Sequence, residues 1–279
     1  MFEIIQKQIL AKGIKKLVVM APRVAKKALA GQFVMVMPKE KGERIPLTIA
    51  DSSSQNGTIT LIFQEVGFST KKLGQLKVGQ NVSSILGPLG KPTEVAKLGT
   101  VVCIGGGVGI AEVYPVSCAF KNAGNEVIGI IGARNKQLII LEKEMKEICN
   151  QLYVATDDGS YGQKGFVTDA LKKLLEAKKH IDLVYAIGPV KMMHAVSELT
   201  RPFRIKTLVS LNPIMVDATG MCGSCRVTVA GKTYFGCVDG PEFDAHLVDF
   251  KELEARLNLF KEQEKCLLPK CPRRQSQSA

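Results

Sequence analysis

Asp217, Cys222, Cys225 and Cys237 follow the spacing D-x4-C-x2-C-x11-C, which gathers three thiols and an acid into one short stretch. Gly220 and Gly223 lie among them. Glycine lets a backbone curl until neighbouring groups face a single ion or cluster. Residues 226–230 alternate as a strand, Gly231-Lys232 is a turn, and residues 233–235 return. Such a hairpin carries Cys237 back towards Cys222 and Cys225.

A gap of four, a gap of two and then a distant cysteine is the spacing of plant-type 2Fe–2S ligands, with Asp217 where the first cysteine stands. Thiolates are soft ligands that suit iron–sulfur clusters, and a carboxylate is harder but brings the same charge. Two other readings stay open on these residues alone. Asp217 is an ordinary loop acid and Cys266 or Cys271 completes the set, or the site holds zinc. Zinc favours paired C-x2-C knuckles, of which there is one here. Eight cysteines with a C-x2-C in a chain of this size point to metal chemistry in a reducing compartment, and so to the cytoplasm.

A length of 279 residues suggests two domains and an appended module. The net charge is +12, but the basic residues are scattered and there is no Trp, so no nucleic-acid face is expected. The charge suits acidic partners such as ferredoxins. The longest apolar stretch, 101–120, is broken by Gly105, Gly106, Gly107, Gly109, Glu112 and Pro115, and reads as strand, loop and helix, not a membrane span. Residues 1–11 lack the apolar core of a signal peptide.

Residues 1–97 read as an antiparallel β-barrel. Six β-type runs, at 2–10, 15–20, 32–37, 45–50, 58–64 and 81–85, are punctuated by glycine and proline. A flavin needs a polar contact at its edge, an apolar surface to lie on and a cation near its pyrophosphate. Arg44, Pro46, Leu47 and Thr48 offer these, and the run from Phe63 through Gly67, Ser69 and Thr70 offers a glycine turn with two hydroxyls for phosphate.

Residues 98–209 read as a parallel-sheet α/β domain. A buried strand at 100–104 runs into Gly105, Gly106, Gly107 and Gly109, and then into helical spacing at 110–123. Strand, glycine turn and helix place an anion at a helix N-terminus. A second strand, 126–131, leads to Arg134 and Lys136, which either hold a ribose 2′-phosphate or face solvent. A third ends in Asp157, Asp158, Gly159 and Ser160, and a fourth in Gly188 and Pro189. Ligands of such sheets bind outside the carboxyl ends of the strands, where these loops lie. His180, His194 and His246 stand apart from any nucleophile or metal pattern, and no catalytic acid, base or nucleophile is expected.

Taken together, these three parts resemble the ferredoxin–NADP reductase superfamily, in the branch holding the dihydroorotate dehydrogenase electron-transfer subunits. Within it the chain is most similar to the small subunits of NADH-dependent reduced ferredoxin:NADP oxidoreductases, also described as sulfide dehydrogenases. The likeness runs to about Leu257. It rests on Ile45-Pro-Leu-Thr-Ile-Ala, Leu86-Gly-Pro-Leu-Gly, Gly105-Gly-Gly-Val-Gly, Ile131-Gly-Ala-Arg-Asn, Thr156-Asp-Asp-Gly-Ser-Tyr-Gly, Gly188-Pro and the stretch from Pro213 to Asp244. Asp217 is its most specific part, because the dihydroorotate branch carries Cys there.

The resemblance implies FAD on Arg44, Pro46, Leu47 and Thr48, with Gly67, Ser69 and Thr70 near its pyrophosphate. It implies NAD(H) along Gly105 to Gly109, Asp157 to Ser160 and Gly188-Pro189, and a 2Fe–2S cluster on Asp217, Cys222, Cys225 and Cys237. One departure is that the superfamily has Arg two residues before an aromatic and a Ser, whereas Ile45 and Leu47 fill those slots here and Arg44 is displaced by one. The implied partner is a large flavo-iron–sulfur subunit linked to NADP and ferredoxin, in a heterodimer capable of electron bifurcation. A dihydroorotate dehydrogenase partner, or a non-catalytic redox-sensing module, are the rival implications. Residues 210–248 would form the cluster module, and 249–279 a helix packed on its own domain followed by a disordered tail.

Overall fold

The computed structural model describes residues 2–266. Cys271 and the tail from Arg273 lie outside the described residues.

The first sheet is built from β1 (Phe2–Ala11), β2 (Ile14–Met20), β3 (Phe33–Met37), β4 (Ile45–Ser53), β5 (Thr58–Gln64), β6 (Asn81–Val82) and β7 (Ser84–Leu89). Their order is β6-β1-β2-β5-β4-β3-β7, antiparallel throughout. The run at 81–85, expected as one strand, is two. Residues 81–82 pair with β1, whereas β7 pairs with β3 at the opposite edge. The chain steps from one edge to the other at Ser83, and the sheet becomes a nearly closed barrel, which removes most of its unpaired edge. Two helices accompany it, α1 (Pro22–Ala25) and α2 (Phe68–Gln75). Leu17, Val19, Ile59, Leu61 and Phe63 fill the interior.

The second sheet alternates with helices: β8 (Thr100–Gly106), α3 (Gly109–Asn122), β9 (Glu126–Ala133), α4 (Glu142–Ile148), β10 (Gln151–Thr156), β11 (Gln163–Lys164), α5 (Val167–Glu176), β12 (Leu183–Ile187), α6 (Val190–Thr200) and β13 (Lys206–Ser210). After it come β14 (Arg226–Val229), β15 (Lys232–Phe235), β16 (Glu242–Asp244), α7 (Phe250–Leu257) and α8 (Lys261–Cys266). The sheet order is β11-β10-β9-β8-β12-β13-β16, parallel except for β16. β8 is buried along its whole length, as a strand covered on both faces must be. Ile110, Val113, Val116 and Phe120 of α3 cover one face, together with barrel residues Ile14 and Ile62. Leu171 and Leu174 of α5, Met193 and Val196 of α6, and Phe250 and Leu253 of α7 cover the other.

β16 falls within the stretch expected as a separate cluster module, yet it pairs antiparallel with β13 and extends the nucleotide-domain sheet. α7 packs on its own domain, as its apolar spacing implies, with Asp249 accepting from the Glu252 amide at its N-terminus. Two of the histidines pack and one is exposed: His194 stacks on Phe250 with ring centres 4.9 Å apart, His246 contacts Thr200, and the exposed His180 lies beside Asp182. Among the described residues no helix is long and apolar enough to cross a membrane.

Candidate functional site

β8 and β12 are neighbours, but the helices that follow them, α3 and α6, pack on opposite faces of the sheet. Chain order reverses there, and a crevice opens at the carboxyl ends of the two strands. A cleft of about 800 Å³ occupies it. Two glycines explain the floor. Gly107 has φ +59° and donates its amide to the Gly132 carbonyl at 2.8 Å. Gly109 opens α3 so close to β12 that an added Cβ would stand 2.5 Å from the Ile187 carbonyl oxygen. Bare backbone and the start of α3 therefore face the cleft, the arrangement that accepts a pyrophosphate.

Of the residues expected here, Gly106, Gly107, Gly109, Arg134, Asp157, Gly188 and Pro189 line the cleft. Gly105 lies under α3, where its Cβ position is 2.8 Å from the Ile110 Cα. Asp158, Gly159 and Ser160 form the adjoining turn. Asp158 Oδ1 accepts from the Ser160 amide at 2.9 Å, and Ser160 Oγ accepts from the Lys136 amide at 2.9 Å. The Ser160 hydroxyl and amide hold the Asp158 carboxyl below its usual range.

The barrel closes the other side with Ile14 and Gln64. Beside the cleft lies a smaller cavity of about 80 Å³, bounded by Pro46 and Thr48 of β4 and by Ser210 and Met215. Side chains alternate along a strand, so Pro46 and Thr48 face this cavity while Leu47 packs against the barrel core. Pro46 is tolerated because β5 pairs with β4 only from Ile49 onward, which leaves the proline's outer edge free. Phe63 lies inside the barrel core, and Arg44 is exposed just before β4.

Gly67 caps α2, so the expected glycine turn is the N-terminus of a helix that sequence reading did not foresee. Its hydroxyls are committed locally. Ser69 donates to Glu43 Oε2 at 2.6 Å, while Thr70 accepts from the Gly67 amide and donates to its carbonyl. What the turn offers a phosphate is the first-turn amides of α2.

Sequence reading also missed Glu112. It sits in the first turn of α3 and lines both cavities. No hydrogen bond or ion pair reaches its carboxyl among the described residues, and burial pushes it up to about 7. Its signal in the sequence was a lone acid inside the apolar run 101–120.

On the far side of the small cavity is the thiol loop. Cys225 immediately precedes β14 and Cys237 follows β15, so the hairpin brings their sulfurs to 3.2 Å. Both are buried, in contact with Phe33 and Met35 of β3 and with Met215 and Ala218. Burial, with Cys225 beside it, pushes the Cys237 thiol up to about 11. Cys222 is exposed, and its thiol is lowered by the Ser224 hydroxyl and amide and by the Asp217 amide. The Thr219 hydroxyl donates to Asp217. Among the described residues no three His, Cys, Asp or Glu side chains close around one metal ion. The donor set itself, three thiols and a carboxylate on one loop and hairpin, has the softness and charge that suit a 2Fe–2S cluster.

Residues 103–198 match the oxidoreductase NAD-binding domain, and residues 212–249 match the iron–sulfur cluster binding domain of dihydroorotate dehydrogenase B. The chain is 47% identical over 263 residues to the dihydroorotate dehydrogenase B (NAD⁺) electron transfer subunit homolog of Thermotoga maritima, covering 94% of this chain and 93% of that protein. It is 34% identical to a probable subunit of the same kind from Methanopyrus kandleri, covering 76% of this chain and 78% of that one. A chain in the solved NADH-dependent reduced ferredoxin–NADP oxidoreductase superposes with a TM-score of 0.90 at 45% identity, over 95% of each chain. The chain belongs to the family of dihydroorotate dehydrogenase B electron transfer subunits and their homologues, oxidoreductases that join a barrel, an NAD-binding α/β domain and an iron–sulfur module.

Proposed function

We propose that this chain is the small electron-transfer subunit of a heterodimeric ferredoxin:NADP oxidoreductase, passing hydride between NAD(H) and FAD and single electrons between FAD and a 2Fe–2S cluster. The observation that carries this reading is convergence. One cavity is bounded by the barrel strand at Pro46 and Thr48, by Glu112 of the nucleotide domain, and by Met215, which also packs with Cys225 and Cys237.

A nicotinamide gives two electrons as a hydride, a 2Fe–2S cluster takes one at a time, and a flavin between them supplies the conversion. The residues hold and shield. The glycine turn and the start of α3 receive the dinucleotide pyrophosphate. Pro46 and Thr48 offer the flavin ring an apolar and a polar contact, and the first turn of α2 takes the flavin's phosphates. Asp217, Cys222, Cys225 and Cys237 ligate the cluster. Electrons leave on the exposed Cys222 side, towards a larger flavo-iron–sulfur subunit linked to NADP and ferredoxin.

A dihydroorotate dehydrogenase is the second candidate partner, favoured by the names of the relatives from Thermotoga and Methanopyrus. The test is anaerobic purification from native cells, with flavin, iron and sulfide analysis and identification of the co-purifying subunit. The expected result is flavin, two irons and two sulfides on this chain once it is separated from its companion, with bleaching of the flavin absorbance by NADH. Absence of both flavin and iron from this chain, whatever its companion carries, refutes the reading, and a barrel dehydrogenase as companion transfers it to the second partner. Asp217→Ala is expected to lose the cluster's native spectrum, and Asp217→Cys to keep a cluster of altered potential.

A further inference from the structure

Among the described residues Glu112 is the one ionisable side chain bounding the small cavity, and it also lines the large cleft. If the glycine turn holds the pyrophosphate and the flavin ring lies on Pro46 and Thr48, the nicotinamide must meet the flavin where cleft and cavity join. Glu112 stands at that junction, one turn into α3. This rests on the function proposed above.

We propose that the Glu112 carboxylate is the counter-charge of the oxidised nicotinamide ring and holds NAD⁺ in preference to the neutral, reduced dinucleotide. The chemistry of the ring gives the reason. When the C4–H bond breaks, hydride and both bonding electrons go to the flavin, and the ring is left with one positive charge. A carboxylate beside it favours that charged form, and the uncharged acid does not.

The other titratable groups on elements packed around α3 are engaged elsewhere. Asp51 of β4 and Glu144 of α4 act on Tyr114, and Asp51 on Cys118. Glu142 accepts from Tyr161, Glu126 of β9 pairs with Lys179, and Tyr185 of β12 donates to Glu242. Cys103 of β8 is buried, while Arg134, Asp157 and Lys191 border the cleft. None of them sets the charge of Glu112, whose carboxyl is raised to about 7 by burial. Its charge therefore changes across the neutral range, and with it the preference for the oxidised ring.

Equilibrium binding to the full flavin-loaded chain tests this with three probes at pH 6 and pH 8. They are NAD⁺, the tetrahydro-nicotinamide dinucleotide whose neutral ring carries no transferable hydride, and ADP-ribose, which has no ring. NAD⁺ is expected to bind about five-fold more tightly relative to the neutral analogue at pH 8 than at pH 6, since a one-unit displacement of a pKa on binding is a ten-fold coupling over the full titration and about half of that is reached between these two values. Glu112→Gln should flatten that ratio with pH, and Glu112→Asp should keep a pH-dependent ratio. An equal pH response for NAD⁺, the analogue and ADP-ribose overturns the proposal, because the carboxyl would then be sensing the pyrophosphate. A ratio in Glu112→Gln that still changes with pH overturns it as well. Failure of wild-type protein to bind any of the three probes refutes the dinucleotide site itself, a distinct outcome.

Discussion

Tyr185 is fully buried in β12, and its hydroxyl donates to Glu242 Oε1 at 2.8 Å; Thr93 donates to the same oxygen at 2.5 Å. One carboxyl thus ties together the segment that leaves the barrel, the central sheet and β16. Burial raises the Glu242 pKa, and the two hydroxyls oppose that rise by stabilising the ionised form. A folded-state pKa above the unfolded value means that the folded chain binds more protons. Its contribution to stability is complete below the ordinary Glu pKa and is lost as pH rises through the raised value. Tyr185→Phe removes one donor, so Glu242 should rise further and the loss should steepen. The expected cost is about 1–2 kcal/mol at pH 7 and less at pH 4, read from urea melts at the two values. A cost independent of pH would assign the effect to packing. Thr93 and Glu242 are 149 positions apart, and nothing in local sequence links them. The iron–sulfur stretch, by contrast, was legible because residues 217–237 form one loop and hairpin whose cysteine spacing is itself the chemical signal.

Elements with a strong local period were the legible ones. The buried strands β8, β9 and β12, and the helices α3 and α5, stand where their apolar runs put them. Those that depend on a distant partner were not legible: the division of 81–89 into β6 and β7, and the recruitment of β16 by β13. α2 was missed because its eight residues hold one fully buried large apolar side chain, Leu73, too few to set a helical period. Lys7 and Lys15 instead finish it, Lys7 reaching the carbonyls of Gly74 and Leu76, and Lys15 the Gly74 carbonyl and Glu65. The junction of α3 with β12 gives the sharpest test at this scale. At Gly109 a methyl group would press on the Ile187 carbonyl, which a rotamer change cannot relieve because the neighbour is backbone. Gly109→Ala is expected to destabilise the fold by about 1–3 kcal/mol and to weaken NAD⁺ binding together with it. Thermal melts and an NAD⁺ titration of the same sample check both, and unchanged NAD⁺ affinity would detach the start of α3 from the dinucleotide.

The three parts of the chain are fused more tightly than their sequence boundaries suggest. α3 packs against barrel residues Ile14, Ala50 and Ile62 on one face of the central sheet. Phe243, Ala245, Phe250 and Leu253, all beyond residue 210, complete the core on the other face. The thiol loop, in turn, rests on Phe33 and Met35 of the barrel. Such mutual burial fixes the spacing between the dinucleotide cleft, the β4 cavity and the thiols, which a relay of electrons between three fixed centres requires. It also means that the cluster module is no detachable appendage. A chain ended after Ser210 would bare the β13 edge, an invitation to pair with other chains, and would remove Leu211, Val227, Val229, Phe243, Phe250 and Leu253 from the core. At about 1.5–3 kcal/mol for each large buried side chain, that loss matches the whole ~5–15 kcal/mol that holds a typical domain folded. The truncated chain is therefore expected to aggregate or to melt without a cooperative transition. Full-length protein with Cys222→Ser, which alters only an exposed thiol, should keep a cooperative melt even where the cluster is lost. A truncated chain that melts cooperatively and still binds NAD⁺ would mean that β16 and α7 merely lean on a sheet already complete without them.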